Sequence, residues 1–189
     1  MLEFLQYIDE KLFLAINGCH SPFFDSFMWG VSGKFIWLPL YVFLLIWLVY
    51  KYRRRSLIFI PAVILLIISS DQGSVHLFKN VFERLRPSHN PDLQDIIHIV
   101  NNYRGGLYGF VSSHAANVFA LALFFIPLFR KWWVTILLLL WAMLISYSRI
   151  YLGVHYPFDV ITGGIFGAIL GFGFVKTVEI LTEKDNLKP

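Results

Sequence analysis

Five stretches of nearly unbroken apolar residues dominate the sequence: Phe35 to Tyr50, Ser56 to about Phe78, about Ala115 to Phe129, Trp132 to about Tyr147, and about Val160 to Val175. A soluble chain of this size buries one core and covers it with charge. Here 57% of 189 residues are hydrophobic and only 15% are charged, against roughly 25% charged in soluble proteins. The lipid bilayer is therefore the natural solvent, and long apolar runs meet it as helices that satisfy their own backbone. Several runs hold only about 16 apolar residues, roughly 24 Å of helix against a hydrocarbon core of roughly 30 Å, so each must borrow polar flanking residues to span. These runs predict an all-α, integral membrane helical bundle with about five transmembrane helices, forming one domain over residues 1–189.

Ahead of the runs, Leu5, Ile8, Leu12 and Ile16 recur at helical spacing, and Asn17-Gly18 offers a stop. This predicts an N-terminal helix, either lying in the membrane interface or packed on the bundle. Glu3, Asp9 and Glu10 stand where a secretory signal would carry a basic patch and a clean apolar stretch, so the segment is expected to be retained. The single cysteine, Cys19, excludes an internal disulfide and is expected to be an ordinary packed thiol.

Charge sets the orientation. Lys51, Arg53, Arg54 and Arg55 follow the first run, Arg130 and Lys131 separate the third from the fourth, and Lys176, Lys184 and Lys188 follow the fifth. With five spans all of these fall on one side, which the positive-inside rule makes cytoplasmic. The C-terminus is then cytoplasmic, and the loop from Lys79 to Ser113 and the stretch from Arg149 to Asp159 face the outer, periplasmic side of the inner membrane. The formal net charge of +4 comes from short clusters rather than one basic stripe, so no nucleic-acid partner is expected.

The outward flanks of the runs carry polar and ionisable groups, which at membrane depth are functional candidates. In KNVFERLRP, Lys79 and Arg86 are seven apart, so on a helix ended by Pro87 both would point one way. A snorkelling helix end with Lys79 paired to Glu83 is the structural alternative. Ser112-Ser113-His114 opens the third run, as an ordinary N-cap or as an anion site whose His114 donates a proton near neutral pH. In SRIYLGVHYPFD, Pro157 suits the first turn of the fifth helix and sets Asp159 four residues after His155. That pair is either a nucleophilic imidazole with its orienting carboxylate, or a buried pair satisfying each other at a helix join.

The three elements together, Lys-six-Arg-Pro, then Ser-x-His, then Ser-Arg-five-His-three-Asp, are much more specific than any one. The chain resembles the type-2 phosphatidic acid phosphatase family, membrane relatives of the vanadium-dependent haloperoxidases, from about Lys79 to Asp159. The middle element departs from the family's Pro-Ser-Gly-His, with Val111 in place of proline and Ser113 in place of glycine. The resemblance implies that Lys79, Arg86 and Arg149 hold phosphate oxygens, with Ser112 and the Ser113 N–H completing the cradle. It implies that His155 attacks phosphorus to give a phosphohistidine, that Asp159 orients it, and that His114 protonates the leaving group. No metal and no cofactor is expected, and the outer face lacks a carboxylate cluster suited to magnesium.

The implied function is hydrolysis of a lipid phosphate monoester or pyrophosphate at the outer headgroup layer, with the bilayer and its lipid as partners. Undecaprenyl pyrophosphate, phosphatidylglycerol phosphate and phosphatidic acid rank slightly ahead of the lipid A phosphates. An ion or phosphate transporter using Asp71, His76 and the cations is the alternative from another class. It should show paired halves with broken helices, and the sequence shows no such symmetry. Gly163, Gly167 and Gly171 form a small-residue stripe for close packing, within the bundle or in a homodimer. Asp71 and His76 are expected to have structural roles, His20, His89 and His98 to be solvated, and the tail TEKDNLKP to be frayed.

Overall fold

A computed structural model describes residues 2–184 and is predominantly helical, with no strand among the described residues beyond a single Leu85 to Tyr108 bridge. The helices are α1 (Leu2–Asn17), α2 (Pro22–Ser32), α3 (Leu38–Tyr52), α4 (Ser56–Gly73), α5 (Asn80–Phe82), α6 (Ser113–Phe129), α7 (Trp132–Tyr151) and α8 (Pro157–Lys184). The tail beyond Lys184 lies outside the described residues.

Three helical stretches are long and apolar enough to cross a membrane: Leu38–Phe82, Trp132–Tyr151 and Pro157–Glu183. The first folds back on itself at the three-residue turn Arg53–Arg55, where Arg53 takes a left-handed φ of 51°. It thus supplies two passes, α3 and α4. The fifth pass is α6, an apolar helix of 17 residues at the centre of the bundle. Leu48, Phe59, Leu66, Phe124, Trp141 and Val175 fill the core, while Ile46, Leu57, Ile64, Leu137, Ile165 and Ile169 stay exposed, as side chains turned to lipid must.

The closest pairing is α8 on α6, and the glycine stripe makes it. A methyl group added at Gly163 would stand 2.6 Å from the Ser112 carbonyl oxygen, and one at Gly167 or Gly171 would overlap the carbonyls of Ala116 and Ala120. The stripe is therefore used inside the bundle and is not open to a second copy.

Above the spans lies an outer layer of α1, α2 and the segment 83–112. Of the two placements open for α1, the structure shows the packed one. Leu5 and Leu12 are exposed, and Asp9, Phe13 and Asn17 are buried against the bundle. α1 therefore packs on the bundle and keeps an apolar outer face of Phe4, Leu5, Tyr7 and Leu12. Helix α2 was not foreseen. Ser21 caps it, Pro22 sits at its start, and Met28 packs with Tyr151, Leu152 and Val154. Cys19 is exposed rather than packed. His98 is not simply solvated either: it pairs with Asp25 at 2.9 Å and stacks on His20.

Candidate active site

At the helix ends beneath that outer layer lies a cavity of about 400 Å³ whose walls include Lys79, Arg86, Arg149, Ser113, His114 and His155. Ser32 at the end of α2, Lys34 from the α2–α3 connection, Asp71 from α4 and Tyr103 from the segment 83–112 also line it. Residues from every element singled out in the sequence thus meet, though not by the route expected.

Lys79 and Arg86 do not share a helix. From Ser74 to Lys79 the helix widens into a π-turn, and Glu83 ends it in the left-handed region at φ 46°. The alternative Lys79–Glu83 pair does not form: the Lys79 ammonium donates to the Ser113 hydroxyl at 2.6 Å, and that hydroxyl also shares a proton with Ser74 at 2.6 Å. The chain then turns back as an extended piece. Arg86 N donates to Leu107 O at 3.1 Å, Gly109 N to Arg84 O at 2.8 Å, and Arg86 Nε to Tyr108 O at 3.1 Å. Gly105, at φ 69°, leaves the room that the Arg86 guanidinium occupies; a methyl there would lie 2.5 Å from Nη1.

Arg149 enters from the last turn of α7 and is 3% exposed. Its Nη1 donates to the Ser32 hydroxyl, and its Nη2 to the Tyr103 hydroxyl at 3.4 Å. Even so, Arg149 Nε and Arg86 Nη1 are buried N–H groups with no acceptor. Leaving a charged donor buried and unpaired costs about 1–3 kcal/mol or more. Burial, and then the neighbouring Arg149, push Arg86 down to about 10, so it remains a cation at neutral pH. Two buried guanidinium groups with unmet donors thus belong to residues that line one cavity, an arrangement suited to an anion.

His155 sits in the turn between α7 and α8 and is fully buried. Burial first, then the Arg86, Arg149 and Lys79 cations, hold its pKa well below the usual imidazole value, so the ring is neutral. Asp159, in the first turn of α8, faces His155 Nδ1 through Oδ2 at 3.4 Å. The same oxygen accepts the Tyr156 N–H at 3.0 Å. An ionised carboxylate can only accept, so Nδ1 carries the proton and the Nε2 lone pair is left free. Such a ring is equipped to attack an electrophile.

Ser112 stands apart from the cavity. It is buried, caps α6 by accepting the Ala115 N–H at 3.4 Å, and donates its own N–H to Asp159 O at 2.9 Å. The N-terminus it caps presents Ser113 and His114 to the cavity. Asp71 lines the cavity, whereas His76 is exposed.

Sequence reasoning missed Arg84, which bridges Asp9 at 2.7 Å and Asp159 at 2.9 Å. It also missed Ser32, Lys34 and Tyr103. Arg84 lies inside KNVFERLRP and was one of few charges, but its partners are each 75 residues away and nothing local announces them.

The PAP2 superfamily model matches residues 60–183. Over 187 residues, 97% of this chain and 83% of the relative, the sequence is 44% identical to a lipid A 4'-phosphatase of Bacteroides thetaiotaomicron. It is 40% identical over 171 residues, 90% of this chain and 72% of the relative, to a lipid A 4'-phosphatase of Porphyromonas gingivalis. The crystal structure of Aquifex aeolicus LpxE superposes with a TM-score of 0.69 at 28% identity, covering 88% of this chain and 93% of that one.

Proposed function

Since the chain belongs to the PAP2 superfamily and is a membrane lipid phosphatase, we propose that it removes a phosphate monoester from a lipid A-type headgroup at the outer face of the inner membrane. The observation that carries the phosphatase reading is the pair of buried, under-satisfied guanidinium groups sharing one cavity with a neutral, carboxylate-oriented imidazole. The two relatives above 40% or at 40% identity support the lipid A class and move it ahead of the polyprenyl and glycerolipid phosphates. The outward orientation is supported by Arg53–Arg55, Arg130 and Lys131 standing at the helix ends away from the cavity.

In the reaction, Lys79, Arg86 and Arg149 hold the phosphate oxygens from the cavity wall they share. Ser113 and the α6 N-terminus capped by Ser112 complete the cradle. His155 Nε2 attacks phosphorus, a P–N bond forms and the P–O bond to the lipid breaks. His114 gives its proton to the departing alkoxide. Water then loses a proton to His114 and attacks phosphorus, the P–N bond breaks, and His155 and inorganic phosphate are released. Positioning and fixed positive charge supply most of the acceleration.

The test is phosphate release from purified protein in detergent with chelator present. Lipid A 4'-phosphate should turn over faster than undecaprenyl pyrophosphate or phosphatidic acid. Orthovanadate should inhibit, and His155→Ala should abolish turnover. Wild-type rates in that variant would refute the mechanism, and a preference for another lipid would refute the substrate class.

A further inference from the structure

We infer that helix α1, which lies outside the residues matched by the family model, belongs to the catalytic apparatus: Asp9 and Arg84 act as a positioning pair that fixes the Asp159 carboxylate against the nucleophile. The inference rests on the phosphatase reading above and adds to it two residues that occupy none of the fixed positions of the three sequence elements.

The contacts form one chain of charge. Arg84 Nη2 donates to Asp9 Oδ2 at 2.7 Å and Nη1 to Asp159 Oδ1 at 2.9 Å, and both carboxylates are fully buried. The other oxygen of each acid is also used. Asp9 Oδ1 accepts the Phe158 N–H at 2.9 Å, while Asp159 Oδ2 accepts the Tyr156 N–H and faces His155. Arg84 therefore claims one oxygen of Asp159 and leaves the other for the imidazole. The guanidinium also lies over the Tyr156 ring at 4.1 Å. That ring meets Phe13 of α1 edge-on at 5.4 Å, and its hydroxyl accepts from Asn90 Nδ2 at 3.1 Å. Through Asp9 and Phe13, α1 thus grips the turn that carries His155.

Arg84 does not line the cavity, so its influence passes through Asp159. A carboxylate free to rotate would present either oxygen to His155 and would fix neither the ring plane nor the tautomer. Held by Arg84, it presents one. A loosely held nucleophile still lets phosphate bind to the three cations, so the loss should fall on turnover rather than on binding.

The experiment compares phosphate release and orthovanadate inhibition for wild type, Arg84→Met, Arg84→Lys, Asp9→Asn and His155→Ala in detergent. Arg84→Met should lower kcat by about tenfold or more, with KM and vanadate inhibition held within about threefold. Arg84→Lys keeps the charge but cannot fork between two acids, and should recover part of the loss. Asp9→Asn, nearly isosteric, should lower kcat by about three- to tenfold. The inference is overturned if kcat stays within about twofold in both Arg84→Met and Asp9→Asn. It is also overturned if KM and vanadate inhibition weaken as much as kcat falls, which would mean that Arg84 acts only by placing Arg86. Where Arg84→Met fails to fold, Asp9→Asn decides by the same criteria. Wild type that releases no phosphate, or an active His155→Ala, refutes the phosphatase reading instead. An active wild type with unaffected pair variants refutes this inference alone.

Discussion

Replacing Gly163 by alanine should damage catalysis more than it damages the fold. The added methyl would stand 2.6 Å from the Ser112 carbonyl oxygen and 3.2 Å from Ser112 N. Widening that approach to 3.0 Å moves the two backbones apart by about 0.4 Å, and reaching ordinary contact at 3.4 Å moves them by about 0.8 Å. The contact sits at the Ser112 N to Asp159 O bond of 2.9 Å, which joins the start of α6 to the start of α8. One side carries Ser113 and His114, the other His155 and Asp159, so the wedge disturbs the join between the elements that carry the two histidines. Overpacking of this kind costs about 1–3 kcal/mol of stability, while a 1 Å misplacement of reacting groups can cost about a hundredfold in rate. Initial rates of phosphate release and thermal unfolding should be measured together in one detergent. Gly163→Ala is expected to lose about ten- to a hundredfold in kcat while remaining folded. Gly173→Ala, with nothing within 4 Å of the new methyl, serves as the control and should keep its rate. A Gly163→Ala protein with kcat within about twofold of wild type would refute the claim that the α6–α8 contact sets the site geometry.

Arg149→Lys should lower kcat/KM by about tenfold or more, because an ammonium cannot reach Ser32, Tyr103 and a phosphate together; rates near wild type would show that only the charge matters. A titration of the His155 ring by NMR in the empty protein should show a neutral imidazole from pH 8 down to pH 6, since burial and three cations hold its pKa below the usual value of about 6.5. The sign of the linkage follows: this group's stabilisation is complete above about pH 6.5 and is lost progressively as pH falls below it. A midpoint near 6.5 in the NMR titration would contradict the environment described. With Cys19 replaced by serine, a cysteine at Arg54 should be shielded from impermeant reagents in intact cells, and labelling there would reverse the orientation.

The spans were legible because lipid leaves an apolar run few choices, and α6, α7 and α8 begin where Ser112, Lys131 and Pro157 indicate, although α7 runs on to Tyr151 and α8 to Lys184, past the ends of their apolar runs. Helix α2 was not, because PFFDSFMWGVS is only 11 residues long and carries exposed Phe23, Phe24 and Phe27 as well as buried Met28 and Val31, so apolar residues alone do not announce which side packs. The residues of the cavity were legible as a set, but the path from Lys79 to Arg86 was not. Helical periodicity assumed an unbroken helix, and a π-turn followed by left-handed Glu83 replaced it. What holds Arg86 is the pairing of residues 84–86 with 107–109, a long-range contact without a local signature. The Asp9–Arg84–Asp159 link was hidden for the same reason, since its members come from α1, the outer segment and α8.

In a chain with so little charge, the burial of Arg86 and Arg149 beside Lys79 is costly unless an anion completes the set. A phosphate dianion does so, but stabilising the bound substrate does not by itself speed its hydrolysis. Acceleration requires groups whose interactions strengthen as the reaction proceeds. His155 is neutral, so it approaches the dianion without adding negative charge, and the positive charge that builds on its ring in the P–N adduct falls beside Asp159. The charge that builds on the leaving oxygen is met by the proton of His114. The cations and the histidines therefore divide the work, and kinetics should separate them: changes at Lys79, Arg86 or Arg149 should raise KM as well as lower kcat, whereas changes at His155 should act on kcat alone. An Arg86 or Arg149 variant with wild-type KM and reduced kcat would show that those guanidiniums grip the transition state and not the bound lipid.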